Sequence, residues 1–140
     1  CSDPVQASRA ITEALADARL SPQDVNYVNA HAASTSVGDA AEAGAIRDAF
    51  GSAAESIPVS STKSMSGHLI SAAAAFEALA CLVAIQRNMI PPTINLDNPD
   101  EDCLLRHVPH QSISLPVHIT ASNSFGFGGS NLCLILKEAA

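Results

Sequence analysis

Val25-Asn26-Tyr27-Val28-Asn29-Ala30-His31-Ala32-Ala33-Ser34-Thr35 decides how this chain folds. Val25 to Ala30 alternates and is β-branched enough for a short strand, and at His31 the chain breaks into small and hydroxyl residues. Gly38-Asp39 then opens a helical pattern with Ala40, Ala43, Ile46, Ala49 and Phe50 on one side and Gly51 as its stop. Asp39 and Glu42 suit the positive end of its dipole. A strand that runs through a histidine-bearing loop into a helix is one step of an α/β layer. It also puts His31 at a junction, where a polar side chain is held rigidly and still reaches a cleft.

Upstream, Val5, Ile11, Leu15 and Ala18 recur at roughly helical spacing between Pro4 and Leu20, and Ser21-Pro22 closes the segment. Downstream, Ile57 to Ser60 reads as a brief strand feeding the polar loop Ser60-Ser61-Thr62-Lys63-Ser64-Met65-Ser66-Gly67-His68. Gly67 to Arg87 reads as the strongest helix, so apolar that burial on every side is expected. Pro91-Pro92 ends it, and Thr93 to Leu96 reads as a short extended piece. Leu104 to Val108, Val117 to Ala121 and Leu132 to Leu136 read as strands, the last a continuous apolar run of a sheet covered on both faces. Asp97 to Asp102 reads as a solvated turn. The order of elements gives a layered α/β fold, a mixed sheet between helices, in a single domain of 140 residues.

Hydrophobic residues make up 47% of the chain but aromatics only 4%, so the core must be built from Ala, Leu, Ile and Val. A net charge of −7 with seven Lys and Arg leaves no basic stripe for nucleic acid or an anionic membrane surface. No eighteen uninterrupted apolar residues occur, and the chain is read as soluble and cytoplasmic, or as residing in an organelle stroma or matrix. Cys1, Cys81, Cys103 and Cys133 show no paired metal-ligand spacing, and no metal is expected; Cys81 and Cys133 sit in apolar runs as inert thiols. Opening on Cys1 and not Met, the chain is read as a piece of a longer polypeptide.

His31 alone would read as readily as a hydrogen-bonded structural residue. His68, at the start of a glycine-led helix, changes that: the helix dipole disfavours its protonated ring, and a neutral imidazole can donate to a developing oxyanion. Lys63 is either a solvated lysine or the partner of Glu77, since a carboxylate in the middle of so apolar a helix needs a partner. Asn123-Ser124-Phe125-Gly126-Phe127-Gly128-Gly129-Ser130-Asn131 is either a plain hairpin or a turn whose backbone amides approach a ligand.

Taken together, Tyr27 to His31, Gly38 to Ala43, Ser60 to Leu69, Pro91 to Asp100 and Asn123 to Gly129 resemble the C-terminal half of the elongating, decarboxylating type II β-ketoacyl-acyl carrier protein synthases. The resemblance implies a thiolase-like fold of two similar α/β halves, of which residues 1–140 are the second; the half that carries the nucleophilic cysteine lies outside this chain. It implies decarboxylative Claisen condensation of a malonyl carrier protein with an acyl thioester, in fatty acid or polyketide elongation. It places His31 and His68 on the two histidines that assist decarboxylation, Lys63 on the family lysine and Glu77 on its buried carboxylate partner. Thr35, Phe125, Phe127 and Gly128 fall on substrate-binding positions, Phe127 through its backbone amide and gating ring. No cofactor is implied beyond the phosphopantetheine of the acyl carrier protein. The implied partners are that carrier protein, the cysteine-bearing half and a second copy in a homodimer.

Where the family usually reads His-Gly-Thr-Ser-Thr, this chain has His31-Ala32-Ala33-Ser34-Thr35. Ala33 lacks a hydroxyl that helps hold the carrier arm, and arm binding is expected to weaken by about 1 kcal/mol. The four cysteines do not sit at a turn before a helix, so the chain alone is expected to be inactive. The alternatives are a non-catalytic chain-length-setting subunit, a degradative thiolase and a binding module. Retention of both histidines, Lys63 and Glu77 favours the enzyme.

Overall fold

The computed structural model describes residues 3–139. Along the chain run α1 (Pro4–Asp17), β1 (Tyr27–Asn29), α2 (Ser36–Phe50), β2 (Val59–Ser60), α3 (Lys63–Ser66), α4 (Ala73–Arg87), β3 (Met89–Ile90), β4 (Ile113–Ser114), β5 (Ile119–Phe125) and β6 (Asn131–Lys137). The mixed sheet has the order β2-β1-β5-β6: β1 is parallel to both β2 and β5, and β5 is antiparallel to β6. Side chains alternate across β1. Val28 and Ala30 therefore join Ile11, Leu15, Ile46 and Phe50 of α1 and α2 on one face. Tyr27 joins Cys81 and Ala84 of α4 on the other.

The helices start and stop where their residues dictate. Asp3 accepts a hydrogen bond from the Val5 amide at 3.0 Å and Pro4 occupies the first turn of α1. Gly51, at φ +54°, ends α2. The buried stripe of α1 is Ala7, Ile11 and Leu15, three residues at helical spacing that need no aromatic to fill the sheet's pleat.

Four expectations are corrected. The helix read from Gly67 to Arg87 is broken: α3 ends at Gly67 (φ +73°), a 3-10 turn spans Ile70–Ala72, and α4 begins only at Ala73. His68 lies outside the first turn of α4, and the dipole argument made for it does not apply. Nor is α4 buried all round. Ala73, Glu77, Cys81 and Ala84 face the sheet, while Phe76, Leu79, Leu82 and Val83 are exposed. Among the described residues, the 18-residue stretch Ile70–Arg87 has the length and mean hydropathy, 1.5, of a membrane span, yet its inner face packs on the sheet and carries an ion pair.

Likewise β6 is not covered on both faces: Leu132 and Leu134 are exposed, and the strand lies at the sheet edge. An apolar run records that a surface avoids water, not which segment covers it. Finally, Thr93–Leu96 and Leu104–Val108 form only the isolated bridges Thr93 with Pro109 and Val59 with His107. The prolines at 91, 92 and 109 withhold ladder donors, and the antiparallel pair forms instead between β3 and β4.

Other readings hold. Asp97 to Asp102 is largely exposed, tied to α2 by Arg47, which donates to the carbonyls of Asp102 and Leu104 at 3.0 and 3.1 Å. Cys81 is buried and Cys133 half-buried, and burial pushes their thiols up to about 11 and about 12. Cys1 lies outside the described residues.

Candidate active site

Parallel pairing of β1 with β5 brings the loop after each strand to the same end of the sheet. There the Phe125 amide donates to Nδ1 of His31 at 3.3 Å, and the Phe125 ring lies 5.7 Å from the imidazole. The positive φ of Gly67 turns the chain back so that His68 enters the same space, where the Ile70 amide donates to its Nδ1, also at 3.3 Å. The two imidazoles meet edge to face, 5.5 Å apart with an interplanar angle of 84°. Each Nδ1 is an acceptor, so in the neutral form of either imidazole the proton resides on Nε2, the nitrogen left free to donate. Burial, then the nearby Lys63 and His68, lower the His31 pKa to about 4, leaving it uncharged at neutral pH.

The rings open onto a hollow of about 430 Å³, whose wall includes Ile70, Glu77, Phe125 and Leu132. At its base the predicted pair is made: Lys63 Nζ and Glu77 Oε1 form an ion pair whose side chains are 5% and 2% exposed. Lys63 reaches inward because α3 is pinned by short-range bonds, Met65 amide to Thr62 carbonyl at 3.0 Å and Gly67 amide to Lys63 carbonyl at 2.9 Å. Burial raises the Glu77 pKa and the ammonium beside it pulls it back. Beneath the pair, the Tyr27 hydroxyl meets Ser60 Oγ at 2.8 Å, and Asn29 Nδ2 donates to Tyr27 and to Thr62 at 3.1 and 3.3 Å. These buried polar groups fix the floor from which α3 rises.

The structure does not bring every expected residue here. Thr35 precedes α2, donates its amide to Asp39 Oδ1 at 3.1 Å, and lines a separate hollow of about 290 Å³ with Ala32, Asp39 and Thr93. Phe127 is 98% exposed on a 3-10 turn, Phe127–Gly129, with Gly128 and Gly129 at φ +73° and +80°; neither Phe127 nor Gly128 lines the histidine hollow. The amide of Phe125 is committed to His31 and is not a free donor.

Glu42, expected at the positive end of the α2 dipole, lies beyond the first turn, because α2 starts at Ser36 and not at Gly38. It is fully buried and accepts from the His31 amide at 2.8 Å, the Ala32 amide at 2.7 Å and Asn123 Nδ2 at 3.0 Å. The signal was readable: Glu42 stands four residues before Ile46 and eight before Phe50, on the buried stripe of α2.

Residues 2–97 match the family model described as beta-ketoacyl synthase, C-terminal domain. The 3-oxoacyl-[acyl-carrier-protein] synthase 2 of Synechocystis sp. is 51% identical over 132 residues, 94% of this chain and 32% of that protein. Among solved structures, a type II polyketide ketosynthase bound to the hexaketide, in complex with its acyl-carrier protein, superposes with a TM-score of 0.95 at 38% identity, over all of this chain and 34% of the other. The ishigamide ketosynthase/chain length factor superposes equally well, at 36% identity over 99% of this chain and 34% of the other. The chain thus spans about a third of the length of the relatives it matches.

Proposed function

The chain belongs to the β-ketoacyl synthase family as its C-terminal domain, and from that premise we propose that it supplies the decarboxylating half of a 3-oxoacyl-carrier-protein synthase acting in fatty acid elongation. A malonyl thioester, delivered on the phosphopantetheine of an acyl carrier protein, enters the hollow with its carbonyl oxygen between the two Nε2–H groups. The C–C bond to the terminal carboxylate breaks, CO2 leaves, and its electron pair forms an enolate whose oxygen accepts from both rings. The enolate carbon attacks the acyl thioester on a cysteine from the remainder of the enzyme, and the cysteine leaves as thiolate. Two fixed donors stabilise the charge where it develops and need no reorganisation at that moment.

The observation that carries this reading is the paired geometry: two imidazoles 5.5 Å apart, each with Nδ1 occupied by a backbone amide. The buried Lys63–Glu77 pair argues against a non-catalytic chain-length-setting subunit, which has no need to keep two charges out of water. The exposed apolar face of α4 and the open edge of β6 are where the cysteine-bearing half packs, because relatives are about three times this chain's length. The assembled enzyme works as a homodimer in the cytoplasm or an organelle stroma.

The test uses the full-length enzyme that carries this chain and measures CO2 release from malonyl carrier protein. His31→Ala and His68→Ala are each expected to lose about a hundredfold or more, the size of one lost oxyanion donor. Variants that release CO2 at the parent rate overturn the reading.

A further inference from the structure

We propose that Thr93, with the amide of Ile94 beside it, positions the two imidazoles relative to one another by tying α3, which carries Lys63 and leads to His68, to the loop that carries His31. The proposal rests on the reading of the two histidines given above. Thr93 Oγ1 accepts the Ser61 amide at 2.9 Å, and the Ile94 amide donates to Ser64 Oγ at 3.0 Å. Ser64 Oγ donates in turn to the Ser61 carbonyl at 2.9 Å. Ser61 Oγ donates to the carbonyl of Ala32, the residue after His31, at 3.2 Å. Ser61 is buried, and it joins the Thr93 loop, the first turn of α3 and the His31 loop. Thr93 lines the hollow of about 290 Å³ and not the histidine hollow, so it acts through Ser61 and not on the substrate.

A tie of this kind needs a fixed end, and Thr93 has one. Its amide donates to the Val108 carbonyl at 2.8 Å and its carbonyl accepts the His110 amide at 3.0 Å, across the bridge with Pro109. Pro91 and Pro92 restrict the backbone leading into it, and Asn95, at φ +61°, turns the chain away after it. The other end needs holding. As a single turn, Lys63–Ser66, α3 is too short to keep its place alone. Its place is set by its ties: Lys63 to Glu77, Thr62 to Asn29, and Ser61 and Ser64 to Thr93 and Ile94. The last tie continues to Ala32 through Ser61 Oγ. Released from it, α3 shifts against the His31 loop and the 5.5 Å contact between the rings opens.

Thr93→Val in the full-length enzyme keeps the β-branched shape but removes the acceptor, and leaves the Ser61 amide unpaired. Thr93→Ser keeps the hydroxyl. Thr93→Val is expected to lower kcat for CO2 release from malonyl carrier protein about tenfold, the size of one lost hydrogen bond, with KM and the rate of acyl-enzyme formation within about twofold; Thr93→Ser stays within about twofold of the parent throughout. Lys63 and His68, after burial, lower the His31 pKa, so their displacement raises the His31 midpoint in an NMR titration of Thr93→Val and not of Thr93→Ser. An unchanged midpoint in Thr93→Val, decarboxylation and acylation falling together, or Thr93→Ser as impaired as Thr93→Val overturns the proposal. If Thr93→Val does not accumulate as folded protein, Ser64→Ala, which cuts the tie to Ile94, must raise the same midpoint or the proposal fails. An unmutated enzyme that releases no CO2 refutes the function reading alone; the His31 midpoints still decide the role of Thr93.

Discussion

Replacing Lys63 by methionine removes the ammonium that pairs with Glu77 while keeping most of the side-chain volume. Both partners are nearly inaccessible, and Glu77 Oε2 already lacks a hydrogen-bond partner among the described residues. Breaking a buried pair from one side destabilises by about 3–5 kcal/mol, because an uncompensated charge is left in a poorly solvated place. Glu77 lies at the middle of the inner face of α4, so the loss should appear as faster amide exchange across Ala73–Arg87. At about 1.4 kcal/mol per decade, exchange accelerates by a hundredfold or more.

The pH dependence has a definite sign. Without Lys63, burial holds the folded pKa of Glu77 above its unfolded value, so the folded state binds the extra proton; that stability is present in acid and lost as pH rises through the folded pKa. The Lys63→Met penalty is therefore larger at pH 8 than at pH 5. Lys63→Met/Glu77→Met, which leaves no charge behind, should return to within about 1 kcal/mol of the parent. The assay is hydrogen exchange read by mass spectrometry on the full-length protein at both pH values. Protection of α4 in Lys63→Met within about threefold of the parent at pH 8, or a penalty equal at both pH values, would refute the argument.

His31 should not titrate between pH 5.5 and 7.5 in an NMR titration, since its pKa is lowered to about 4. With the folded pKa below the unfolded one, its contribution to stability is full above about pH 6.5 and lost as pH falls toward 4. Ala33→Thr, which restores the hydroxyl usual in the family, should lower KM for the malonyl carrier protein about fivefold with kcat unchanged; an unchanged KM would show that residue 33 does not meet the carrier arm. Ile70 holds a β-branched side chain at φ +51° and is mostly exposed, so Ile70→Gly should leave stability unchanged or raise it by about 1 kcal/mol in thermal unfolding. A loss of more than about 2 kcal/mol would mean that its side chain contributes contacts beyond those seen in residues 3–139.

What the sequence carried was local or chemical. The strand before His31, the stops at Gly51 and Pro91, and the buried stripe of α1 follow from spacing and backbone preference within a few residues. The need of Glu77 for a cation follows from the cost of burying a lone charge. Glu42 stood in a legible buried stripe, but what it binds did not, because its partners lie 10, 11 and 81 residues away along the chain. The late start of α4 at Ala73 was hidden by a contact across 14 residues, Lys63 with Glu77. Composition favours helix from Leu69 onward, but that contact, with the turn at Gly67, puts His68 in a loop facing His31.

By itself, then, the sequence determined α1, α2, the strands of the mixed sheet and the family to which the chain belongs. Tertiary structure alone decided which amide His31 faces and that His68 stands beside it. It also decided that α4 turns its large apolar residues away from the sheet. The His31 contact depends on parallel pairing of β1 with β5, which joins positions more than ninety residues apart; no short-range preference encodes a contact of that separation.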